Sequence, residues 1–287
     1  MAMYVGLDGK YKAPTGFNEW ATKKVNISTG CENDCVYCYA KLMGYDQGWA
    51  VKGQWHNMVL RQDEVEMGRR RRKGRIAFPT SHDITPSILE PYLTVLGKLL
   101  RIGNEVLVVS KPQYARIRAI CESFGDYTEQ ILFRFTIGAT DNEILSFWEP
   151  NATTFEERRD CLRYAFEQGF RTSVSVEPML EAYNIEALVS KLMPLVNDAI
   201  WIGKMGYLDQ LRRSADAGLA ERIAEIEHYQ RDKMIWAIYN QYKDNPKIKW
   251  KNSIKKVVGL PPAPEPGLDV GDSKCKRLCS TCLYLRC

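Results

Sequence analysis

No run of apolar residues in this 287-residue chain approaches the roughly twenty that a bilayer crossing requires, and the N-terminus is polar rather than signal-like. These absences exclude a helical membrane span and lead to the expectation of a cytoplasmic protein. A surplus of one charge is also missing: 40 Lys and Arg stand against 35 Asp and Glu, a net +5 that permits an anionic partner without requiring one. With 45% hydrophobic and 26% charged residues, the composition is that of a globular protein with a sizeable core. The length suits one α/β barrel.

Cysteine is not scarce. Of nine cysteines, seven fall into two groups, and a reducing compartment makes metal ligation a better explanation than disulfides. The first group is Cys31-Glu-Asn-Asp-Cys35-Val-Tyr-Cys38, three thiols within eight residues. A four-iron cubane presents four iron sites, so three thiolates leave one iron open, and an incomplete protein shell is what a substrate or cofactor needs to bind metal directly. A zinc site would call for a fourth Cys or His nearby, and His56 lies eighteen residues beyond Cys38. The second group, Cys275, Cys279, Cys282 and Cys287, can fully ligate one iron–sulfur cluster or one zinc.

Between these groups, short apolar runs at 25–29, 75–78, 105–110, 131–137, 171–177 and 199–203 alternate with amphipathic stretches, among them 87–101, 113–123, 154–168 and 185–196. Thr154 with Glu157 has the spacing of a capping box, and Gly169 suits a helix stop. Six β-α repeats imply a parallel sheet with right-handed crossovers, closed into a partial barrel. Sites in such barrels form at the C-terminal ends of strands, where the first cysteine loop falls. The expected division is an irregular leader (1–24), the barrel (25–205), a helical extension (206–259) with one long charged helix at 214–243, and a proline-rich linker with a metal-cluster tail (260–287).

The C-x3-C-x2-C spacing, with the aromatic Tyr37 just before the third cysteine, resembles the hallmark of the radical S-adenosylmethionine (SAM) superfamily. That resemblance implies an α/β fold, a partial (βα)6 TIM-like barrel, and a [4Fe-4S] cluster whose open iron is chelated by SAM. It also implies reductive cleavage of SAM to a 5′-deoxyadenosyl radical, and a reducing partner such as flavodoxin or ferredoxin. "EPNATTFEERR", "QGF" and "VSVEPML", together with "PTSHDITP" and "VVSKP", are similar to the branch containing spore photoproduct lyase and related DNA-repair-like lyases. By that match Tyr37, Ser81, Asp83, Lys111, Thr136, Arg158 and Glu177 are candidates for contacts to SAM or substrate. Arg158 is the candidate for the SAM carboxylate, which a guanidinium can grip bidentately.

The chain departs from the pattern in three respects. After the second strand it has Thr-Ser-His-Asp where many members carry Gly-Gly-Glu. The lyase has no four-cysteine tail, and its hydrogen-returning cysteine has no secure equivalent here, so no catalytic residue is assigned. The tail resembles an auxiliary iron–sulfur cluster, with zinc as the weaker alternative. The branch points to a nucleic-acid base or nucleotide as substrate, and Arg69-Arg-Arg-Arg-Lys73 is a basic run suited to phosphates or simply to solvent. Two other functions remain open: modification of a peptide, protein or small metabolite using the auxiliary cluster, and a non-catalytic, metal-stabilised nucleic-acid-binding protein.

Overall fold

The computed structural model describes residues 13–267. Seven parallel strands form one sheet whose order follows the chain, except that the second and third strands pair separately and antiparallel. In chain order the first elements are β1 (Lys23–Lys24), β2 (Ser28–Thr29), α1 (Tyr39–Asp46), β3 (Val59–Leu60), α2 (Gln62–Glu66), β4 (Ile76–Ala77) and α3 (Leu89–Arg101). β5 (Val106–Ser110), α4 (Tyr114–Ser123), β6 (Ile131–Thr136), α5 (Asn142–Trp148), α6 (Phe155–Glu167) and β7 (Arg171–Val176) follow. The chain continues through α7 (Ile185–Leu192), β8 (Ile200–Ile202), α8 (Leu208–Arg212), α9 (Ala217–Tyr229), α10 (Asp232–Tyr242), β9 (Ile248–Trp250) and α11 (Asn252–Val258). This is the expected open α/β barrel, with a seventh strand added.

Side-chain alternation along the strands builds two unlike faces. Val106, Val108, Phe133, Phe135, Val174 and Val176 face outward into the main core, which the helices cover. Leu107 and Leu132 face inward with Ala77 and Trp201, and there they meet Trp20 and Ala21 from the N-terminal segment. The helices owe their positions to ordinary signals. α3 buries Tyr92, Val95, Leu96, Leu99 and Leu100 on one stripe and carries Lys98 and Arg101 in its last turn. Thr154 caps α6 by accepting from the Glu157 N–H at 3.4 Å, and Gly169 leaves the helix at φ +81°. The Glu157 carboxylate does not complete a capping box; it accepts the Tyr114 N–H at 3.0 Å and so ties α6 to the start of α4.

Three features differ from the sequence expectation. The first strand is displaced: Lys23–Lys24 pair with β4, whereas Ser28–Thr29 turn away to pair with β3. The cause lies in the loop after β4, where the Asn26 side chain accepts from the Thr80 and Ser81 N–H groups and His82 Nε2 accepts from the Ile27 N–H. The helix expected over 214–243 is two, α9 and α10, broken where buried Gln230 turns inward to donate to Met179 O and accept from the Met205 N–H. Of its aromatic residues, Tyr239 packs on Trp250 at 5.3 Å between ring centroids while Trp236 stays 43% exposed. The seventh strand, β9, pairs with β8 and brings Lys251 to the C-terminal end of the sheet.

The sheet edges, β1 and β9, are joined by the N-terminal segment. Lys251 pairs with Glu19 at 3.1 Å, donates to Gly16 O and lies 3.8 Å from the Trp20 ring centroid. Asn252 donates through Nδ2 to Pro14 O and through its backbone N–H to Glu19. Trp20 therefore fills the inward face and shields a buried lysine at once. Trp20→Ala should lower unfolding stability by about 3–5 kcal/mol in chemical denaturation; a loss below about 1 kcal/mol would mean that this segment is only draped on the barrel.

Candidate metal centre

The cysteine loop begins at a glycine that no other residue can replace without strain. Gly30 sits at φ +88°, and a Cβ there would come within 2.5 Å of Asn57 O and 2.8 Å of Trp55 O. The Cys31 N–H donates to Trp55 O at 2.8 Å. Two tight turns follow, with the Asp34 N–H on Cys31 O (3.1 Å) and the Cys38 N–H on Cys35 O (3.2 Å). Lys41 fixes the first turn from below through Asp34 Oδ1 at 2.8 Å, and Cys38 caps α1, so the positive end of that helix faces the thiols. Cys31 and Cys35 are 5% exposed, and all three thiols are free of disulfides.

Asp83 organises the ground beside them. Its Oδ1 accepts from Ser110 Oγ at 2.9 Å and the Lys111 N–H at 2.7 Å. Its Oδ2 accepts from Asn33 Nδ2 at 2.9 Å and lies 3.5 Å from Lys111 Nζ. Its own N–H donates to Cys31 Sγ at 3.3 Å. Burial works to raise the Asp83 carboxyl, yet the Lys111 ammonium and these donors outweigh it and hold the group below its ordinary value. Burial works to lower Lys111, and Asp83, with Cys35, Tyr37 and Glu149 behind it, lifts the ammonium well above its ordinary range.

The thiols experience the opposite balance. Burial pushes Cys31 well up, with Asp83 and Cys35 adding to it; burial pushes Cys35 up to about 12; burial also raises Cys38. Lys111 pulls against the rise in all three. Three thiolates beside Asp83 and Glu149 therefore need further positive charge, which iron supplies. Among the described residues no three His, Cys, Asp or Glu side chains close on a single point as a mononuclear ion requires. The ligated irons of a cluster are separate atoms, and Cys31, Cys35 and Cys38, three free thiols on one loop, are the residues that would hold them.

Of the other predicted residues, Tyr37 joins this group: its hydroxyl donates to Glu149, and Lys111 Nζ lies 5.6 Å from its ring centroid. Burial, then Glu149, raises the Tyr37 phenol well above its ordinary value. Arg158, expected to grip a carboxylate of the cofactor, meets one inside the protein. Its Nη1 is 2.5 Å from Glu149 Oε2, its Nε donates to Thr153 O and its Nη1 to Thr136 O, and it is fully buried. Thr136 thus enters the network through its carbonyl. Ser81 stands apart, its N–H on Asn26, and Glu177 pairs with Lys251 at 3.0 Å in the space left by Gly203, where a Cβ would come 2.9 Å from Glu177 Oε1. Burial raises the Glu177 carboxyl against the pull of Lys251. Cys275, Cys279, Cys282 and Cys287 lie outside the described residues.

Sequence reasoning missed Glu149, Asn33, His82 and Lys251 as parts of this arrangement. A buried arginine on a helix demands a carboxylate, and Glu149 opens the very "EPNATTFEERR" run that contains Arg158. Beside the loop opens a cleft of about 330 Å³ whose walls include Glu32, Asn33, Thr85, Lys111, Gln113 and Asn151. The Tyr39 and Tyr207 rings stack at 6.3 Å and 25°, linking the start of α1 to the loop after β8.

A profile of the radical SAM superfamily matches residues 25–190, and the chain belongs to that superfamily. It is a radical SAM enzyme, and its family implies a [4Fe-4S] cluster and SAM. Among curated proteins it is 21% identical over 221 residues to the uncharacterized protein ORF301 of Acidianus two-tailed virus, covering 73% of this chain and 67% of that one. It is 22% identical over 179 residues to the uncharacterized protein MJ0683 of Methanocaldococcus jannaschii, covering 60% of this chain and 66% of the relative. Among solved structures it is similar to spore photoproduct lyase complexed with dinucleoside spore photoproduct (TM-score 0.52, 13% identity, 86% of this chain and 80% of that chain). It is also similar to Streptococcus suis SuiB bound to precursor peptide SuiA (TM-score 0.52, 10% identity, 84% of this chain), of which it spans 51%. At such identities the likeness establishes the fold. Among the described residues no helix is long and apolar enough to cross a membrane.

His82 anchors the arrangement in a way that titrates. Its ring is buried, with Nε2 on the Ile27 N–H and Nδ1 3.0 Å from Asp83 O, and burial lowers its pKa to about 4. The folded state therefore binds fewer protons than the unfolded one, so stability present above pH 6.5 is lost as pH falls toward 4. Between pH 7.5 and 5 this side chain should remove about 2 kcal/mol of unfolding free energy. His82→Gln should flatten that dependence in denaturant titrations at the two pH values; an unchanged slope would contradict the neutral buried imidazole.

Proposed function

We propose that this enzyme cleaves SAM reductively at a [4Fe-4S] cluster held by Cys31, Cys35 and Cys38, and directs the resulting chemistry at a nucleic-acid base or nucleotide. The observation that carries the first half is the trio of disulfide-free thiols on one loop, Cys31 and Cys35 buried and Cys38 partly so, with Asp83 and Lys111 beside them. When bound, cluster and SAM together supply a 5′-deoxyadenosyl radical able to take hydrogen from carbon. The protein's part is positional. Cys31 accepts the Asp83 N–H, which steadies its charge, and α1 directs its positive end at the loop. Lys111, already paired with Asp83, is the cation that would meet the SAM carboxylate, while Arg158 and Glu149 set the Tyr37 ring beneath it. Ser81, Thr136 and Glu177, at the ends of their strands, serve the remaining hydroxyl and amino groups of the cofactor or substrate.

The substrate class is supported by two features: the chain spans most of a lyase solved with a dinucleoside, and it carries an exposed run of arginines. A second reading, a peptide substrate, is favoured by the likeness to SuiB solved with its precursor peptide. We assign residues 25–205 the radical chemistry, a second iron–sulfur cluster to Cys275, Cys279, Cys282 and Cys287 with zinc as the competitor, and a flavodoxin or ferredoxin as the electron source.

Anaerobic reconstitution with iron and sulfide, followed by dithionite and SAM, should yield 5′-deoxyadenosine, and Cys35→Ala should reduce it to background. Cleavage that survives Cys35→Ala would place the cluster elsewhere. No cleavage by the wild type would favour a binding protein without turnover. Stimulation by oligonucleotides rather than peptides supports the substrate class; the reverse replaces it with the peptide reading.

A further inference from the structure

The run Arg69-Arg70-Arg71-Arg72-Lys73 plays no part in the metal centre, and it is not the end of a solvated helix. It is an extended loop between α2 and β4, at the N-terminal end of the sheet. Arg70, Arg71, Arg72 and Lys73 are exposed, whereas Arg69 is engaged with Glu64 at 3.2 Å. The backbone beneath the exposed four is fixed. Asn104, 1% exposed, donates to Arg70 O at 3.3 Å and Leu99 O at 3.1 Å and accepts from the Arg72 N–H at 2.8 Å. Thr22 Oγ1 donates to Lys73 O at 2.9 Å, and Gly74 turns the chain at φ +76° where a Cβ would meet Thr22 at 2.6 Å.

Four adjacent cations repel one another, and a free loop would let them spread. This loop holds them together. Three of them, Arg71, Arg72 and Lys73, line a cleft of about 480 Å³ with Gly74, Gly103 and Glu105, and Gly103 keeps one wall bare where the Arg71 guanidinium lies. Lys23 and Lys24, exposed on the neighbouring strand β1, and Arg101, at the end of α3, extend the field. A concave, preset row of guanidinium groups matches a chain of phosphates better than a flat bilayer surface.

The geometry points to a phosphodiester-backbone site on this loop, with Arg71, Arg72 and Lys73 gripping successive phosphates of a nucleic acid. This rests on the proposed substrate class and adds the place where the polymer is held. The loop leads into β4, whose far end leads to Asp83, so at most about 3.3–3.6 Å for each of the intervening residues separates the two ends. That span is matched by roughly ten nucleotides of one strand at ~3.4 Å each. A polymer of about that length is therefore long enough to rest on the loop while one of its bases reaches the cleft beside Cys31.

The test is fluorescence anisotropy with labelled 20-mer duplex and single-stranded oligonucleotides across a salt series, on the anaerobically reconstituted chain without reductant. Arg71→Ala/Arg72→Ala/Lys73→Ala should weaken binding at least about tenfold and lower the slope of log Kd against log salt by about 2–3. Binding of a dinucleotide and uncoupled SAM cleavage should be unchanged, and Glu105→Gln, which removes the acid at the rim, should tighten 20-mer binding. The proposal is overturned if the triple variant binds the 20-mer with wild-type affinity and slope, or if anionic phospholipid vesicles outcompete the oligonucleotide. Because binding is read without turnover, a wild type that binds but makes no 5′-deoxyadenosine would sink the proposed chemistry and leave this surface standing.

Discussion

The ion pair between Asp83 and Lys111 is the interaction on which the mouth of this barrel depends. Three thiols and two carboxylates are collected in a region from which water is largely withdrawn, where like charges are costly and an unpaired one more so. Asp83 meets the cost by accepting four donors, one of them the ammonium of Lys111, and by lending its backbone N–H to Cys31. Lys111 in turn is the cation felt by every thiol of the loop. A second pair, Arg158 with Glu149, does the same one layer away and fixes Tyr37. Ionising the thiols would add negative charge that these two pairs do not offset, and a bound cluster would supply the compensating positive charge.

The barrel beneath supplies rigidity where the chemistry needs it and polarity where the strands end. Its inward positions run from Leu107, Leu132 and Ala77 at one end to Lys111, Thr136, Glu177 and Lys251 at the other. The gap between its edge strands is bridged by Glu19, Trp20 and Lys251, which means the N-terminal segment and the last strand are parts of the same wall. Lys251 also reaches Glu177, so a carboxylate at the strand ends is tied to residues that close the barrel. The arginine loop lies at the opposite end of β4, separating the surface suited to a polymer from the site of reaction.

Much of this was legible in the sequence because the signals were local. The strands β5 to β8 are apolar runs bounded by helices of clear amphipathic period, and the cysteine spacing and the strand-end residues Asp83 and Lys111 stand out for the same reason. What escaped was set by tertiary partners. Ile248–Trp250 is three residues long within a lysine-rich stretch and becomes a strand only because β8 is beside it. The break at Gln230 carries no Gly or Pro; it exists because an amide finds Met179 and Met205. Ser28–Thr29 leaves the sheet because His82 and Asn26 take its neighbours' hydrogen bonds. Arg158 was legible as a carboxylate binder, but not that Glu149 would be the carboxylate.

The measurement that bears most directly on the central claim is electron paramagnetic resonance of the reduced, anaerobically reconstituted chain in which Cys275, Cys279, Cys282 and Cys287 are replaced by alanine, recorded with and without SAM. A three-thiolate cluster with one open iron should give a reduced [4Fe-4S] signal whose g values shift when SAM is added. A signal unmoved by saturating SAM, or a chain that takes up zinc and shows no cluster signal, would contradict the account.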